Sequence, residues 1–102
     1  MAVYRDKFIG DLKISENSSI LGQVHGQVTV LKQINLQIHG VIAGDLILNE
    51  DSEVFIHGFV YGNIINEGNL YVFGTVIGSI VNEKNGRSFI DAIASVLNNR
   101  IE

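Results

Sequence analysis

The three histidines are the residues of this sequence that could carry acid–base or metal chemistry, since it contains no cysteine. His39 and His57 occupy the same place in two similar segments, IHGVIAGDL and IHGFVYGNI, whose stacking would bring the imidazoles about 5 Å apart. Leu21 and Phe73 continue that column without supplying a carboxylate, and His25 falls in a different column. We therefore expect a structural or surface role for the histidines, with no catalytic residue, metal or cofactor.

Two further patterns resemble ligand sites but lack the required spacing. The acidic turn from Glu50 to Glu53 does not have the alternating ligands of a calcium loop and is interpreted as a solvated turn. The Gly-x-x-x-Gly spacings are not followed by the Lys-Ser/Thr of a phosphate loop. Aliphatic residues every six positions, from Leu36 to Val60, also fit the hexapeptide solenoid of acyltransferases, although the series breaks at Asn66. A histidine-using enzyme of that kind remains a third hypothesis.

The segments that would position these residues are copies of one repeat. The skeleton aliphatic-x-Gly-x-aliphatic-x-Gly-x-aliphatic begins at Ile20, Ile38, Ile56 and Val72, and a degraded copy ends just after Gly10. The second glycines of the copies follow one another at a nearly constant period, which is always even. Such a period is typical of repeat architectures, in which each unit buries its apolar face against its neighbours. These glycines are Gly10, Gly26, Gly44, Gly62 and Gly78.

The aliphatic residues of the repeats alternate with polar ones, as in strands with one buried face. Asn-Gly or Asp-Gly hairpin turns are absent between Phe8 and Val81, so we expect parallel rungs in place of hairpins. The sequence predicts an all-β fold, a parallel β-solenoid of about five coils over residues 8–81 within a single domain of residues 1–102. The predicted core has even numbers throughout and consists of Ile20, Val24, Val28, Val30, Ile34, Leu36, Ile38, Ile42, Leu46, Leu48, Val54, Ile56, Val60, Ile64, Leu70, Val72, Val76 and Ile80.

Beyond Asn85 the spacing predicts an amphipathic α-helix over residues 88–101. Ser88 and Asp91 resemble a capping box, and the apolar positions that follow recur at helical intervals. This helix would either cap the open core of the last coil or pack on the outer face. Its apolar face would consist of Phe89, Ile93, Val96, Leu97 and Ile101.

Apolar residues at the two coil ends and on the outer side are the candidate interaction sites. An open solenoid end forfeits about 1.5 to 3 kcal/mol for each large apolar side chain that it exposes, so the ends are expected to mediate assembly. The outer apolar residues lie either under the helix or against a partner protein. The end residues are Phe8, Leu12 and Ile14 at one end and Leu70, Val72, Val76 and Ile80 at the other. The outer set is Phe55, Phe59, Tyr61, Tyr71 and Phe73.

Composition limits the possible partners. The net charge of −4 and pI of about 5.2 provide no basic surface, so nucleic acid is not expected as a partner and membrane contact would be peripheral at most. No signal peptide and no long apolar run are present. We expect a cytoplasmic protein whose partner is itself, another protein, or both.

The repeats IHGVIAGDL and IHGFVYGNI, with their weaker neighbours over residues 8–81, resemble those of the bactofilins, the polymer-forming bacterial cytoskeletal family. The resemblance implies a right-handed parallel β-helix of triangular section that assembles end to end without nucleotide, as a non-enzymatic scaffold. Bactofilins usually carry proline-containing tails, whereas this chain has no proline and almost no tail. Because a helical cap would block growth at one end, the alternative is a capped solenoid that acts as a protein-binding adaptor or immunity-type inhibitor.

Overall fold

The computed structural model describes residues 1–97, which form an all-β solenoid. Each complete coil consists of three short strands, one in each of three parallel sheets. Coils 1 to 5 are complete, and coil 6 contributes one strand to two of the sheets. The predicted β-solenoid of about five coils is confirmed.

The strands of each sheet lie side by side in chain order. Sheet A contains β1 (Ala2–Tyr4), β4 (Ser18–Ile20), β7 (Asn35–Ile38), β10 (Glu53–Ile56), β13 (Asn69–Val72) and β16 (Arg87–Ile90). Sheet B contains β2 (Lys7–Ile9), β5 (Gln23–His25), β8 (Val41–Ile42), β11 (Phe59–Val60), β14 (Thr75–Val76) and β17 (Ser95–Val96). Sheet C contains β3 (Leu12–Ile14), β6 (Val28–Val30), β9 (Leu46–Leu48), β12 (Ile64–Asn66) and β15 (Ile80–Asn82).

The core lies inside the coils and consists of even-numbered residues, as predicted. Ile56 pairs with Ile38 below and Val72 above, and all three are fully buried. Ile34 is half-buried and packs against this core, and Ile14 of coil 1 belongs to it. Like side chains therefore stack from coil to coil, which is how a solenoid buries apolar surface that no single coil can cover.

The turns from sheet C to sheet A set the length of each coil. Ser18 pairs with Ala2 in the coil before it and with Leu36 in the coil after it, and the second of these steps along the chain is the longer. The longer turns each include a non-glycine residue with left-handed φ, namely Gln33 at 64°, Asp51 at 60° and Lys84 at 54°. The small variation in the period of the sequence thus reflects the different lengths of these turns around a constant core.

Glycine is required where one coil passes closely over the next. A Cβ atom added at Gly44 would overlap the carbonyl oxygen of Gly26, and one added at Gly58 would overlap that of Gly40. No L side chain fits between two backbones at such a distance, which explains the repeated glycine pair.

The predicted helix over residues 88–101 is wrong for the part that the structure describes. Residues 87–90 form β16 and residues 95–96 form β17, while Ile101 lies outside the described residues. Ser88 Oγ donates a hydrogen bond to Asn82 Oδ1 (2.6 Å), and Asp91 Oδ1 accepts one from the Ile93 amide (3.1 Å). Both predicted capping side chains thus stabilise turns and strand ends.

The apolar residues assigned to that helix are distributed over coil 6. Phe89 projects outward from β16 and is 53% exposed, whereas Val96 of β17 points inward and packs against the core. Ile93 and Leu97 are exposed. These side chains form no common face, because a strand places neighbours on opposite sides.

Three of the four residues predicted to form the C-terminal assembly end lie one coil before the end of their sheets. Coil 6 continues sheets A and B over three of them, pairing Leu70 with Ser88, Val72 with Ile90 and Val76 with Val96. Ile80 belongs to β15, which is the last strand of sheet C within residues 1–97. The set Leu70, Val72, Val76 and Ile80 is at most 1% exposed.

Candidate functional site

The N-terminal end of the solenoid is an open coil. Within residues 1–97, strands β1, β2 and β3 each have a neighbour on one side only, because they are the terminal strands of their sheets. The inward side chain of Phe8 is 37% exposed, Tyr4 and Leu12 are half-buried, and Ile14 is fully buried. The predicted N-terminal residues therefore lie at that end, with Phe8 the most accessible of them.

Coil 6 forms the opposite end of the described chain. Ile90, Ala94 and Val96 pack against the core and remain half-buried. The helix prediction included Val96 as an apolar residue but not Ile90 or Ala94, although the even numbering of all three residues continues the core pattern.

The histidine pair forms a stack with an aromatic neighbour. The ring centroids of His39 and His57 are 4.8 Å apart with planes 6° from parallel, and Phe73 lies 5.2 Å from His57 at 7°. Each of these rings covers the face of the next, as the shared register predicts. Among residues 1–97, no group of three histidine, cysteine or acidic side chains could hold a metal ion.

A second column of rings runs along the outer face of sheet A. Phe55 and Tyr71 stack at 4.7 Å and 8°, and Phe89 tilts over Tyr71 at 6.5 Å and 46°. Phe89 also lies 6.4 Å from Phe73, which joins this column to the histidine stack. Sequence reasoning found Phe55, Tyr71 and Phe73 but assigned Phe89 to the helix.

Sheet B carries a smaller outer cluster. Phe59 and Tyr61 are 46% and 54% exposed, and their ring centroids lie 6.4 Å apart. Val41 is the pairing partner of Phe59 in the coil below, as the period predicts. All five predicted outer residues thus project from the solenoid surface.

A buried polar cluster replaces the aliphatic core at one corner. Asn66 follows Leu48 in the same column and is fully buried. The two hydrogens of its Nδ2 are shared among three acceptors, Asn82 Oδ1 (2.9 Å), the Arg87 carbonyl (2.8 Å) and Ser88 Oγ (3.2 Å), while its Oδ1 accepts from the Gly68 amide (2.9 Å). One signal of this cluster is visible in the sequence, namely the break at Asn66 in the aliphatic series.

The acidic turn lies on the outside of the solenoid, as predicted. Glu50 and Asp51 are exposed and border an open depression of about 270 Å³ that Arg87 and Glu67 also line. Glu67 is within 3.5 Å of Lys84 Nζ. The depression therefore contains charges of both signs.

The chain was compared with protein families, curated proteins and solved structures. No family model, no curated protein and no solved structure matches this chain. Within the described residues, no helix has the length and apolar character to cross a membrane.

Proposed function

We propose that this chain is a non-enzymatic structural scaffold that self-associates through the ends of its solenoid without nucleotide, in the manner of the bactofilins that its repeats resemble. The observation that carries the proposal is the open first coil, where Phe8 remains 37% exposed on the inward side. A second molecule stacked on this coil would bury that side chain and pair the free edges of β1, β2 and β3.

Coil 6 supports the same proposal at the other end. Its inward residues Ile90 and Val96 are half-buried, and no helix covers them within residues 1–97. The objection that a helical cap would stop growth therefore has no support in the described chain.

The test compares Phe8→Glu with Ile9→Glu in the full chain. Ile9 is the next residue of β2 but is 75% exposed on the outer side, so it is a matched control. We expect particles that lengthen with protein concentration for the wild type and Ile9→Glu, and loss of that growth for Phe8→Glu, by sedimentation and electron microscopy. Phe8→Ala, which adds no charge, should weaken growth without abolishing it.

A wild-type chain that stays a single small particle at every concentration would contradict the proposal. That outcome would favour the second candidate, an adaptor that binds another protein through its outer apolar residues. Phe59 and Tyr61 favour this candidate, because they are about half exposed and lie together on sheet B.

A further inference from the structure

The outer face of sheet A changes from polar to aromatic residues along the solenoid. In coils 2 and 3 its central column contains Ser19 and Gln37, whereas in coils 4 to 6 the same column contains Phe55, Tyr71 and Phe89. We call the outer surface of coils 4 to 6 on this sheet the aromatic face; it comprises Glu53, Phe55, Asn69, Tyr71, Arg87 and Phe89.

On the aromatic face, coils 4 and 6 carry the same kind of ring but opposite charges, with coil 5 between them. Its ring column has a phenylalanine on either side of Tyr71. The neighbouring column has Glu53 in coil 4, Asn69 in coil 5 and Arg87 in coil 6. If a second copy of this face lies against the first with its coils in the reverse order, each ring faces a ring and each charge faces the opposite charge.

The two charges on this face are available for a partner. Glu53 and Arg87 are both exposed, and neither belongs to an ion pair within residues 1–97. A 3.4 Å hydrogen bond from the Asn35 amide group reaches Glu53 Oε1. Asn69 lies between the two residues, which are therefore two coils apart, about 10 Å.

We propose that a second copy of this chain packs on the aromatic face, related by a two-fold axis that lies in the interface, parallel to the strands at the level of coil 5. This rotation places coil 4 of each copy opposite coil 6 of the other. Glu53 then faces Arg87 of the second copy, Phe55 faces its Phe89, and the two Tyr71 side chains meet at the axis. An isologous contact requires this kind of self-complementary surface.

The corner next to the aromatic face also carries complementary groups in coils 4 and 6. His57 of coil 4 and Asp91 of coil 6 share one column with Phe73 between them. The proposed rotation brings His57 opposite Asp91 of the second copy, so that a ring N–H can donate a hydrogen bond to a carboxylate oxygen. The two-fold axis that pairs Glu53 with Arg87 therefore also pairs His57 with Asp91.

Ring orientation favours a protein surface over a flat ligand. Phe55 and Tyr71 stack at 8°, so their faces cover each other and their edges point outward. A sugar or nucleobase cannot stack between these two rings, and the most exposed ring of the aromatic face is Phe89. A second set of aromatic side chains can pack edge to face on Phe55 and Tyr71 at centroid distances of about 4.5 to 7 Å.

The size of the aromatic face makes this a weak contact. Three coils at about 4.8 Å and four residues at about 3.3 Å give a footprint of roughly 190 Å². Stable dimers bury about 800 Å² on each partner, so single molecules should associate transiently. The contact uses a different surface from the solenoid ends and does not depend on end-to-end assembly.

Covalent trapping suits a weak contact, and the chain has no cysteine to interfere. We expect the full chain carrying Tyr71→Cys or Asn69→Cys to be joined into dimers by a short bis-maleimide, since both positions lie at the proposed axis. Gln37→Cys is the matched control in the same sheet. It lies two coils from the axis, which places its two copies about 19 Å apart along the solenoid. Equal dimer yields at 37 and at the two axis positions would overturn the proposal.

Charge reversal tests whether the pairing occurs between molecules. Glu53→Arg makes the matched charges positive and Arg87→Glu makes them negative, so in an Asn69→Cys background each variant alone should give several-fold fewer dimers. Mixing the two variants should restore the yield, because each then faces the opposite charge. Lys13→Glu and Glu16→Arg, which lie away from the aromatic face, should leave the yield unchanged alone and mixed.

A mixture that traps no better than its separate components would refute the two-fold contact. That result is distinguishable from failure of the proposed function, which is measured by particle growth and its dependence on Phe8. Dimers trapped through residue 71 without particle growth would support the lateral contact alone.

Discussion

At the scale of single residues, Asn66 shows how this core tolerates a polar side chain. It is fully buried in a column that contains Leu48, and hydrogen bonds shared among four polar partners satisfy its amide group. Because two of these bonds go to backbone groups, of Arg87 and Gly68, the side chain ties coil 4 to the turn that follows it and to coil 6. A buried amide is stable only with such partners.

Asn66→Leu is therefore expected to destabilise the protein even though it continues the aliphatic column. The substitution adds apolar burial but removes the bond to the Arg87 carbonyl and leaves the buried Gly68 amide without its acceptor, at about 1 to 3 kcal/mol for a buried group. We expect a net loss of roughly 2 kcal/mol, measured by urea unfolding followed by circular dichroism.

Leu48→Ile is the control for this experiment, since it changes the same column without polar groups and should cost less than about 1.5 kcal/mol. A stability of Asn66→Leu equal to or above that of the wild type would show that the polar cluster is not required for the fold.

At the scale of elements, the corner between sheets B and C depends on a ladder of glycines. Gly26, Gly44, Gly62 and Gly78 each lie against the carbonyl oxygen of the glycine one coil before. Side chains reinforce this corner, because Asp45 Oδ1 accepts a hydrogen bond from the Asn63 amide at 2.8 Å. The closeness of the backbones lets the strands of adjacent coils pair on both sides of the corner.

Gly44→Ala should be among the most damaging single-methyl additions in the chain. The added Cβ overlaps the Gly26 carbonyl, and backbone atoms of two coils must separate to admit it. We expect a loss of at least about 2 kcal/mol in thermal or urea unfolding. Ala43→Ser, at the neighbouring outward position, should change stability by less than about 0.5 kcal/mol. Comparable effects of the two substitutions would contradict this account of the ladder.

The strands and their stacking were predictable from the sequence because two signals agree. Aliphatic residues at even positions define the buried side, and the glycine period defines which residues lie above one another. The pairing of Ile38 with Ile56 and of Ile56 with Val72 follows directly. The positions of the outer rings, such as Phe55 over Tyr71, follow from the same register.

The last coil could not be recognised because its period changes. Ser95 pairs with Thr75, a longer step along the chain than any earlier coil makes, after a turn that includes Asp91 and Ala94 and contains no glycine. Phe89 and Ile93 therefore fell at helical spacing by coincidence, while the even-numbered Ile90 and Val96 continued the strand pattern. The assembly role and the resemblance to bactofilins stay predictions.

At the scale of the whole molecule, the solenoid behaves as a linear array of coils. In the described part of the chain, strands pair only with strands of adjacent coils, so stability is approximately the sum of coil and interface terms. Inner coils have two interfaces and terminal coils have one. Coil 1 and coil 6 should therefore open before the centre does.

Hydrogen exchange followed by mass spectrometry should show this gradient. In dilute protein we expect the slowest exchange in coils 3 and 4 and the fastest in coil 1 and in β16 and β17. If the ends associate as proposed, protection of β2 should rise with protein concentration while that of β11 stays constant. Uniform protection from coil 1 to coil 4 in dilute protein would instead indicate a single cooperative unit.

Paired residues of adjacent coils are always an even number of positions apart, whether the turn between them is short, as from Ala2 to Ser18, or long, as from Thr75 to Ser95. This regularity has a consequence for how such a gene can change. If the insertion or deletion of one codon shifts the strands that follow by one residue, their side chains exchange faces. The aliphatic core residues would then be exposed and polar groups would be buried. A change of two codons preserves the inside and the outside. Length variation among descendants of this chain should therefore come in pairs of codons.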